Sequence, residues 1–442
     1  MDGNPMKPTA AEFNDENVSV LINDADSASR SLRRDPAKAA LVLAGGGITG
    51  AVYEIGALRA VNDMLVDRTV NDFDIYVGTS AGSLVAAMLA NGLTPDEMMQ
   101  SIDNTHPEIR GIRADDIFQS NLFEFVQRLT RLPRTLLRSG RHALTGLGER
   151  SLISLLWEFA DLLPTGFYSG SALERYVSDL LNQPGRVNRF DFLQRELYII
   201  ATDLDSGERA VFGKGGKGIV PISQAVAASS AIPVIYKPVR IFGREYVDGS
   251  MRGTASLDLA VESGADLVVC INPLVPLDAQ QLYPKDEHIG DEGMRTIVNQ
   301  VIRILMHSGL RYHIKSLRRH YPNVDFILIE PRTDDQKMFA YDLMDYSSRL
   351  RVAQHGFESV TTGLMEHYDY FRDVLARHEI QLTRTRVEAE LRQIQQGGYN
   401  AAAMFVLPPS VAAKTNAVTS ADTLLTSLEH NLQRLSKLLD DH

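Results

Sequence analysis

Ile75-Tyr76-Val77-Gly78-Thr79-Ser80-Ala81-Gly82-Ser83-Leu84-Val85-Ala86-Ala87 reads as a short buried strand, an abrupt turn and a helix of small and apolar residues. Gly78 and Gly82 bracket Ser80 in a Gly-x-Ser-x-Gly pattern. A sharp strand-to-helix turn needs glycine at its flanks, because a Cβ there would collide across the bend. Such a turn pushes one hydroxyl out at the carboxyl end of a sheet, at the positive end of a helix dipole. The pattern alone recurs by chance, and the strand before it and the helix after it give it weight. Ser80 is then either a nucleophile or a serine that merely N-caps the helix. The nucleophile is the reading carried forward.

Working outward, Ala39 to Ala44 is apolar throughout and reads as a first buried strand. It runs into Gly45-Gly46-Gly47-Ile48-Thr49-Gly50, and Val52, Ile55, Leu58, Val61 and Leu65 then recur at helical spacing. A glycine run between strand and helix exposes several backbone N–H groups. They suit an oxyanion hole, in which the donors meet the charge of a tetrahedral intermediate. They also suit a dinucleotide, since Gly45-x-Gly47-x-x-Gly50 fits that fingerprint. A dinucleotide fold wants an acid about 20 residues later, at the end of the second strand. Here that strand has its acid, Asp74, at its start and ends in Gly78-Thr79-Ser80. The oxyanion reading is the better one.

The chain of 442 residues suits one large domain with additions, or two domains. Its formal net charge of −11 argues against a general nucleic-acid binder. Cys270 is the one cysteine, so no internal disulfide forms, and a reducing, cytoplasmic setting is expected. Its neighbours Leu267, Val268, Val269 and Ile271 predict a buried, inert thiol. No apolar run approaches the ~20 residues that span a bilayer, and no secretory signal is visible at the start. Membrane contact is therefore expected to be peripheral.

Residues 1–37 read as a polar N-terminal arm, 38–335 as the main domain and 336–442 as a helical C-terminal extension. Within the main domain, 105–170 reads as a helical cap insertion. It carries Arg128, Arg131, Arg134, Arg138 and Arg141 among leucines, then an apolar stretch with the single tryptophan, Trp157. That pattern fits a surface meeting anionic lipid, and equally a cap whose arginines are solvated. Further buried strands are expected at 197–204, 245–248, 265–271 and 324–329. A small-residue helix is expected from Ile222, stopped at Pro233, and a basic-ended one from Thr296 to His320. Residues 393–409 read as a hinge. The leucine stripe at 424–439 reads as a final helix that packs on the body or on another copy.

A serine hydroxyl needs a neighbour to take its proton. His307, His313, His320, His355, His367 and His378 all fall in helical sequence, and none reads as a catalytic base. Asp248 closes a strand and precedes Gly249. Burial there raises a carboxylate's basicity, but an Asp-Gly turn explains the pair as well. Spacing alone leaves those two readings level.

Four blocks, taken together, resemble the patatin-like phospholipase family. Gly45-Gly46-Gly47-Ile48-Thr49-Gly50 is similar to its oxyanion motif, and Gly78-Thr79-Ser80-Ala81-Gly82 to its nucleophile elbow. Ala225-Val226-Ala227-Ala228-Ser229-Ser230-Ala231-Ile232-Pro233 resembles its small-residue block, and Val247-Asp248-Gly249-Ser250 its Asp-Gly block. The resemblance implies a three-layer α/β/α fold with a mostly parallel central sheet. It also implies a Ser80–Asp248 dyad without histidine, Gly45, Gly46 and Gly47 as oxyanion donors, and Gly78 and Gly82 shaping the elbow. The implied activity is hydrolysis of lipid or phospholipid esters through an acyl-enzyme, with no metal or other cofactor. A catalytically silent lipid- or protein-binding scaffold is the alternative. Two departures stand out. Thr49 replaces the usual Arg or Lys, and Met251-Arg252-Gly253-Thr254-Ala255-Ser256 replaces an Asn-x-Pro continuation.

Overall fold

The computed structural model describes residues 38–121, 164–284 and 287–396. By its contacts the chain divides into two units, Met1–Leu391 and Arg392–His442. The sheet, its covering helices and the candidate site all belong to the first. Of the second, only residues 392–396 are described. The N-terminal arm, residues 122–163 of the expected cap (with all five arginines and Trp157) and the 424–439 stripe lie outside the described residues.

Uninterrupted apolar runs make strands that are buried on both faces, the signature of a parallel sheet covered by helices. Strands β1 (Lys38–Leu43), β2 (Ile75–Thr79), β9 (Ala265–Ile271) and β10 (Asp325–Ile329) are runs of that kind. They lie in the order β10-β9-β1-β2, followed by β4 (Glu196–Asp203), and all four pairings are parallel. β5 (Arg209–Gly213), β7 (Val239–Ile241) and β8 (Arg244–Asp248) finish the sheet as antiparallel strands. A small separate sheet pairs β3 (Gly166–Tyr168) with β6 (Val234–Tyr236).

The helices are α1 (Gly47–Met64), α2 (Ala81–Ala90), α3 (Pro95–Ile102), α4 (Ala114–Ile117), α5 (Ser171–Leu181) and α6 (Ile222–Ser229). They continue as α7 (Leu257–Glu262), α8 (Met294–His320), α9 (Gln336–Ala340), α10 (Arg349–Glu366), α11 (Tyr368–Ala376) and α12 (Thr385–Gln396). Side chains alternate across a strand, and this alternation sorts the layers. Ala40, Val42, Val77, Val268 and Cys270 pack with Leu257 and Val261 of α7 and Leu310 and Ile314 of α8. On the opposite face Val269, Ile327 and Ile329 meet Val61 and Met64 of α1 and Leu364 of α10. The result is a three-layer α/β/α fold with a mostly parallel sheet. Cys270 is fully buried, and burial pushes its thiol pKa up.

α1 lies directly against α10. A Cβ on Gly56 would stand 2.0 Å from the Ala353 carbonyl oxygen, and one on Gly356 2.6 Å from that of Tyr53, so the two backbones touch where glycines face each other. No helix among the described residues is long and apolar enough to cross a membrane.

Four short strands have no counterpart in the sequence reading. β3, β6 and β7 are three residues each, too short to show a period, and β5 lies between glycine turns read as loop. β3 falls inside the stretch expected to be helical. Of that stretch's described residues, only Ala114–Ile117 forms a helix beyond 105. At the other end α12 runs helical through Gln396, where a hinge was expected from 393.

Candidate active site

β2 ends at Thr79 and α2 begins at Ala81, so the chain reverses within Ser80. The reversal forces Ser80 to φ +54°, ψ −126°, a region that costs a non-glycine residue about 1–3 kcal/mol. Four hydrogen bonds fix it there. The Ser80 N–H donates to Ser229 Oγ at 2.8 Å. The Ser80 carbonyl accepts from Ser83 N (2.9 Å), Ser83 Oγ (2.5 Å) and Ser230 Oγ (3.2 Å). At about 1 kcal/mol each, these bonds suffice to hold the strain. A Cβ on Gly78 would fall 2.5 Å from Ser83 Cα, and one on Gly82 2.6 Å from the Leu43 and Ala44 carbonyl oxygens. Only glycine fits either place. Ser80 makes no side-chain cap on α2, so the N-cap reading of its hydroxyl does not hold.

The hydroxyl donates instead to Asp248 Oδ2, at 2.5 Å. The sheet explains how a residue 168 positions away arrives there. β2 pairs with β4 up to Thr79↔Ile200, while β8 pairs with β4 from Ala201↔Asp248 onward. β5 overlaps both partners along β4, pairing from Tyr198 to Thr202, so it must occupy the other edge. β8 therefore takes over the edge of β4 at the point where β2 leaves it, and Asp248 comes to lie just past the end of β2.

Asp248 is 1% exposed. Its N–H donates to the Ala231 carbonyl (2.9 Å), and its own carbonyl accepts from Thr202 Oγ1 (3.0 Å). Oδ1 accepts the Ser250 N–H at 2.8 Å, which is the Asp-Gly turn. Oδ2 is left for Ser80, so one carboxylate meets both readings of this position. Burial pushes its pKa up to about 6, opposed by the hydrogen bonds from Ser80 and Ser250. A Cβ on Gly249 would stand 2.3 Å from the Ile200 carbonyl oxygen, so the turn has room only for glycine.

The three glycines after β1 part company. The Gly45 amide donates to the Thr254 carbonyl at 3.2 Å and is engaged within the fold. Gly45 instead permits close approach, because a Cβ there would sit 2.1 Å from Ser250 Oγ and 3.2 Å from Ser80 Cβ. The amides of Gly46 and Gly47 have no hydrogen-bond partner among the described residues, and both glycines line the cavity that Ser80 borders. Gly47 has φ +64°, with the Leu343 carbonyl oxygen 2.4 Å from where a Cβ would be. Thr49 is fully buried, and its hydroxyl has no partner among the described residues.

The cavity beyond Ser80 and Asp248 has a volume of about 860 Å³. Arg209, Arg252 and Asp258 contribute charge to its wall, His313 an imidazole, and Leu305 and Met306 of α8 apolar surface. Among the described residues no histidine hydrogen-bonds to Ser80 or Asp248. His307 meets Glu330, His355 meets Asp335 and His378 meets Asp325. His313 lies 3.8 Å from Asp258 in the cavity wall. No group of three or more His, Cys, Asp or Glu side chains suited to a metal occurs among the described residues.

Ser83, Ser229, Ser230 and Thr202 hold the pair in place, and the sequence reading gave none of them a role. Ser229 and Ser230 were legible only as part of a small-residue helix. The signal available was that two hydroxyls stood where alanine would have served packing equally well.

A family model described as patatin-like phospholipase matches residues 41–261, half of the chain. The uncharacterized protein YqhO of Bacillus subtilis (strain 168) is 27% identical over 207 residues, which are 45% of this chain and 57% of that protein. The probable lipid hydrolase 463L of Invertebrate iridescent virus 6 is 20% identical over 222 residues, 50% of this chain and 63% of that protein. The chain thus spans less than two thirds of the length of either relative. Among solved structures, human GIVD cytosolic phospholipase A2 in complex with methyl gamma-linolenyl fluorophosphonate is similar at a TM-score of 0.32 and 11% identity. That likeness covers 76% of this chain and 60% of the other. With the family model spanning the strand, glycine loop, elbow and Asp248 turn described above, the chain belongs to the patatin-like phospholipase family.

Proposed function

We propose that the chain is a serine lipid acyl hydrolase, an esterase of the phospholipase A or lysophospholipase type working through Ser80 and Asp248. Ser80 Oγ attacks the ester carbonyl carbon as its proton passes to Asp248 Oδ2. The carbonyl oxygen takes up negative charge opposite the Gly46 and Gly47 amides, which stabilise it because they are fixed in place by the fold. Collapse of the intermediate breaks the ester bond. The departing alcohol takes the proton from Asp248 and leaves an acyl group on Ser80. A water then attacks that acyl group, giving its proton to Asp248, and release of the fatty acid restores the serine hydroxyl. A carboxylate with a pKa near 6 is a better proton acceptor than an ordinary aspartate and is still ionised at neutral pH.

The observation that carries this reading is the 2.5 Å hydrogen bond from Ser80 Oγ to Asp248 Oδ2 at a backbone turn held at positive φ. A fluorophosphonate probe tests it, because the serine oxygen displaces fluoride and keeps the phosphonyl group. Intact-mass analysis is expected to find one adduct on the wild type and none on Ser80→Ala, alongside hydrolysis of p-nitrophenyl acyl esters by the wild type alone. Folded wild type that takes no label and cleaves no ester would overturn the proposal and leave the silent scaffold in its place.

A further inference from the structure

Ser80 borders two cavities. One is the large, partly charged chamber described above. The other is a narrower slot of about 100 Å³ between α1 and α2. The two share Gly47, Ser80 and Ile232, so the Ser80 hydroxyl stands on the partition between them.

The slot differs from the chamber in chemistry. Its long walls are Ile48, Ala51 and Ile55 of α1 and Ala81, Leu84 and Met88 of α2. Each set spans eight residues, seven steps of 1.5 Å, or about 10 Å along its helix. No charged residue lines the slot. The hydroxyls in its wall are all engaged elsewhere: Ser101 with the Met98 carbonyl, Tyr176 with that of Arg110, Tyr236 with that of Ile117, and Ser230 with that of Ser80. Ser80 and the Gly47 amide at the partition apart, a ligand in the slot meets no polar side chain in need of a partner. The chamber, by contrast, offers Glu208, Arg209, Arg252, Asp258 and His313.

We propose that the slot holds the acyl chain of the ester and the chamber holds its alcohol portion. This rests on the reading of Ser80 as the nucleophile. An acyl-enzyme keeps its chain beside Ser80 while the alcohol must leave and water must enter, so the small apolar space suits the first and the larger charged space suits the second. Each methylene buried in an apolar site favours binding about fourfold. The specificity constant kcat/KM therefore climbs with chain length until the ~10 Å slot is filled, and then stops climbing.

The test measures kcat/KM for p-nitrophenyl esters from acetate to palmitate, with short- and long-chain alkyl fluorophosphonates as labels. Leu84→Trp, filling the middle of the slot, is expected to lower the octanoate-to-acetate ratio about tenfold or more. Met88→Ala, deepening it, is expected to move the optimum to longer chains. A profile that stays at the wild-type shape in both variants, while the short label still reacts, overturns the slot assignment and leaves the nucleophile standing. So does a ratio that moves with Leu305→Trp in the chamber and not with Leu84→Trp. Wild type that no label modifies overturns the nucleophile, and the slot assignment with it.

Discussion

Ser80 and Asp248 reach the same hydrogen bond by different routes. The turn that presents Ser80 is built locally, from a strand, two glycines and a helix within residues 75–90, and Ser83 of that helix together with the distant Ser229 of α6 fixes its strained backbone. Asp248 arrives from a distant strand, because β8 continues along β4 where β2 stops. The first half of the site is a matter of backbone geometry. The second is a matter of electrostatics, because the arrangement leaves a carboxylate almost wholly buried beside one hydroxyl. Substitutions in the two halves should therefore fail in different ways.

The largest effect belongs to the reacting atoms. Ser80→Ala is expected to lower kcat by about 10⁶-fold and Asp248→Asn by about 10⁴-fold. Because the two act as a unit, the double variant should be no worse than Ser80→Ala, as ester hydrolysis under single-turnover conditions will show. Next comes the geometry. Ser229→Ala leaves the buried Ser80 N–H without its partner, a loss of about 1–3 kcal/mol at the strained turn. A tenfold fall in kcat is expected, with little change in KM.

The smallest effect concerns stability and has the opposite sign. The folded-state pKa of Asp248 is raised from 3.8 to about 6, so the native state holds this proton more tightly than the unfolded chain does. Its contribution to stability is full below pH 4 and is lost as pH rises to about 6. Asp248→Asn should therefore melt at a higher temperature than wild type above pH 6, with the gap closing near pH 4. A variant that melts lower at every pH would mean that the carboxylate is a structural hydrogen-bonding group first.

How much of this was legible in the sequence follows from the same contrast. Four of the five parallel strands are largely apolar runs, and the elbow announces itself through the spacing of Gly78, Ser80 and Gly82, with the Gly78 clash against Ser83 lying within five residues and the Gly82 clash reaching back to Leu43 and Ala44. The position of Asp248 beside Ser80 could not be read from spacing, since it depends on which edge of β4 each partner occupies. Gly45 shows a subtler limit. Its place in the glycine run fits an oxyanion donor, yet the amide is bonded to Thr254, which the chain delivers from more than 200 positions away. The short strands β3, β6 and β7 exist through their tertiary partners and carry no pattern of their own.

The central claim is that Asp248 takes the proton of Ser80, and the pH dependence of fluorophosphonate labelling addresses it most directly. Wild-type labelling should rise with pH through an inflection near 6 and then level off, as Asp248 becomes free to accept the proton. Asp248→Asn should label far more slowly and without that inflection. The same inflection at nearly the same rate in Asp248→Asn would show that some other group activates the serine.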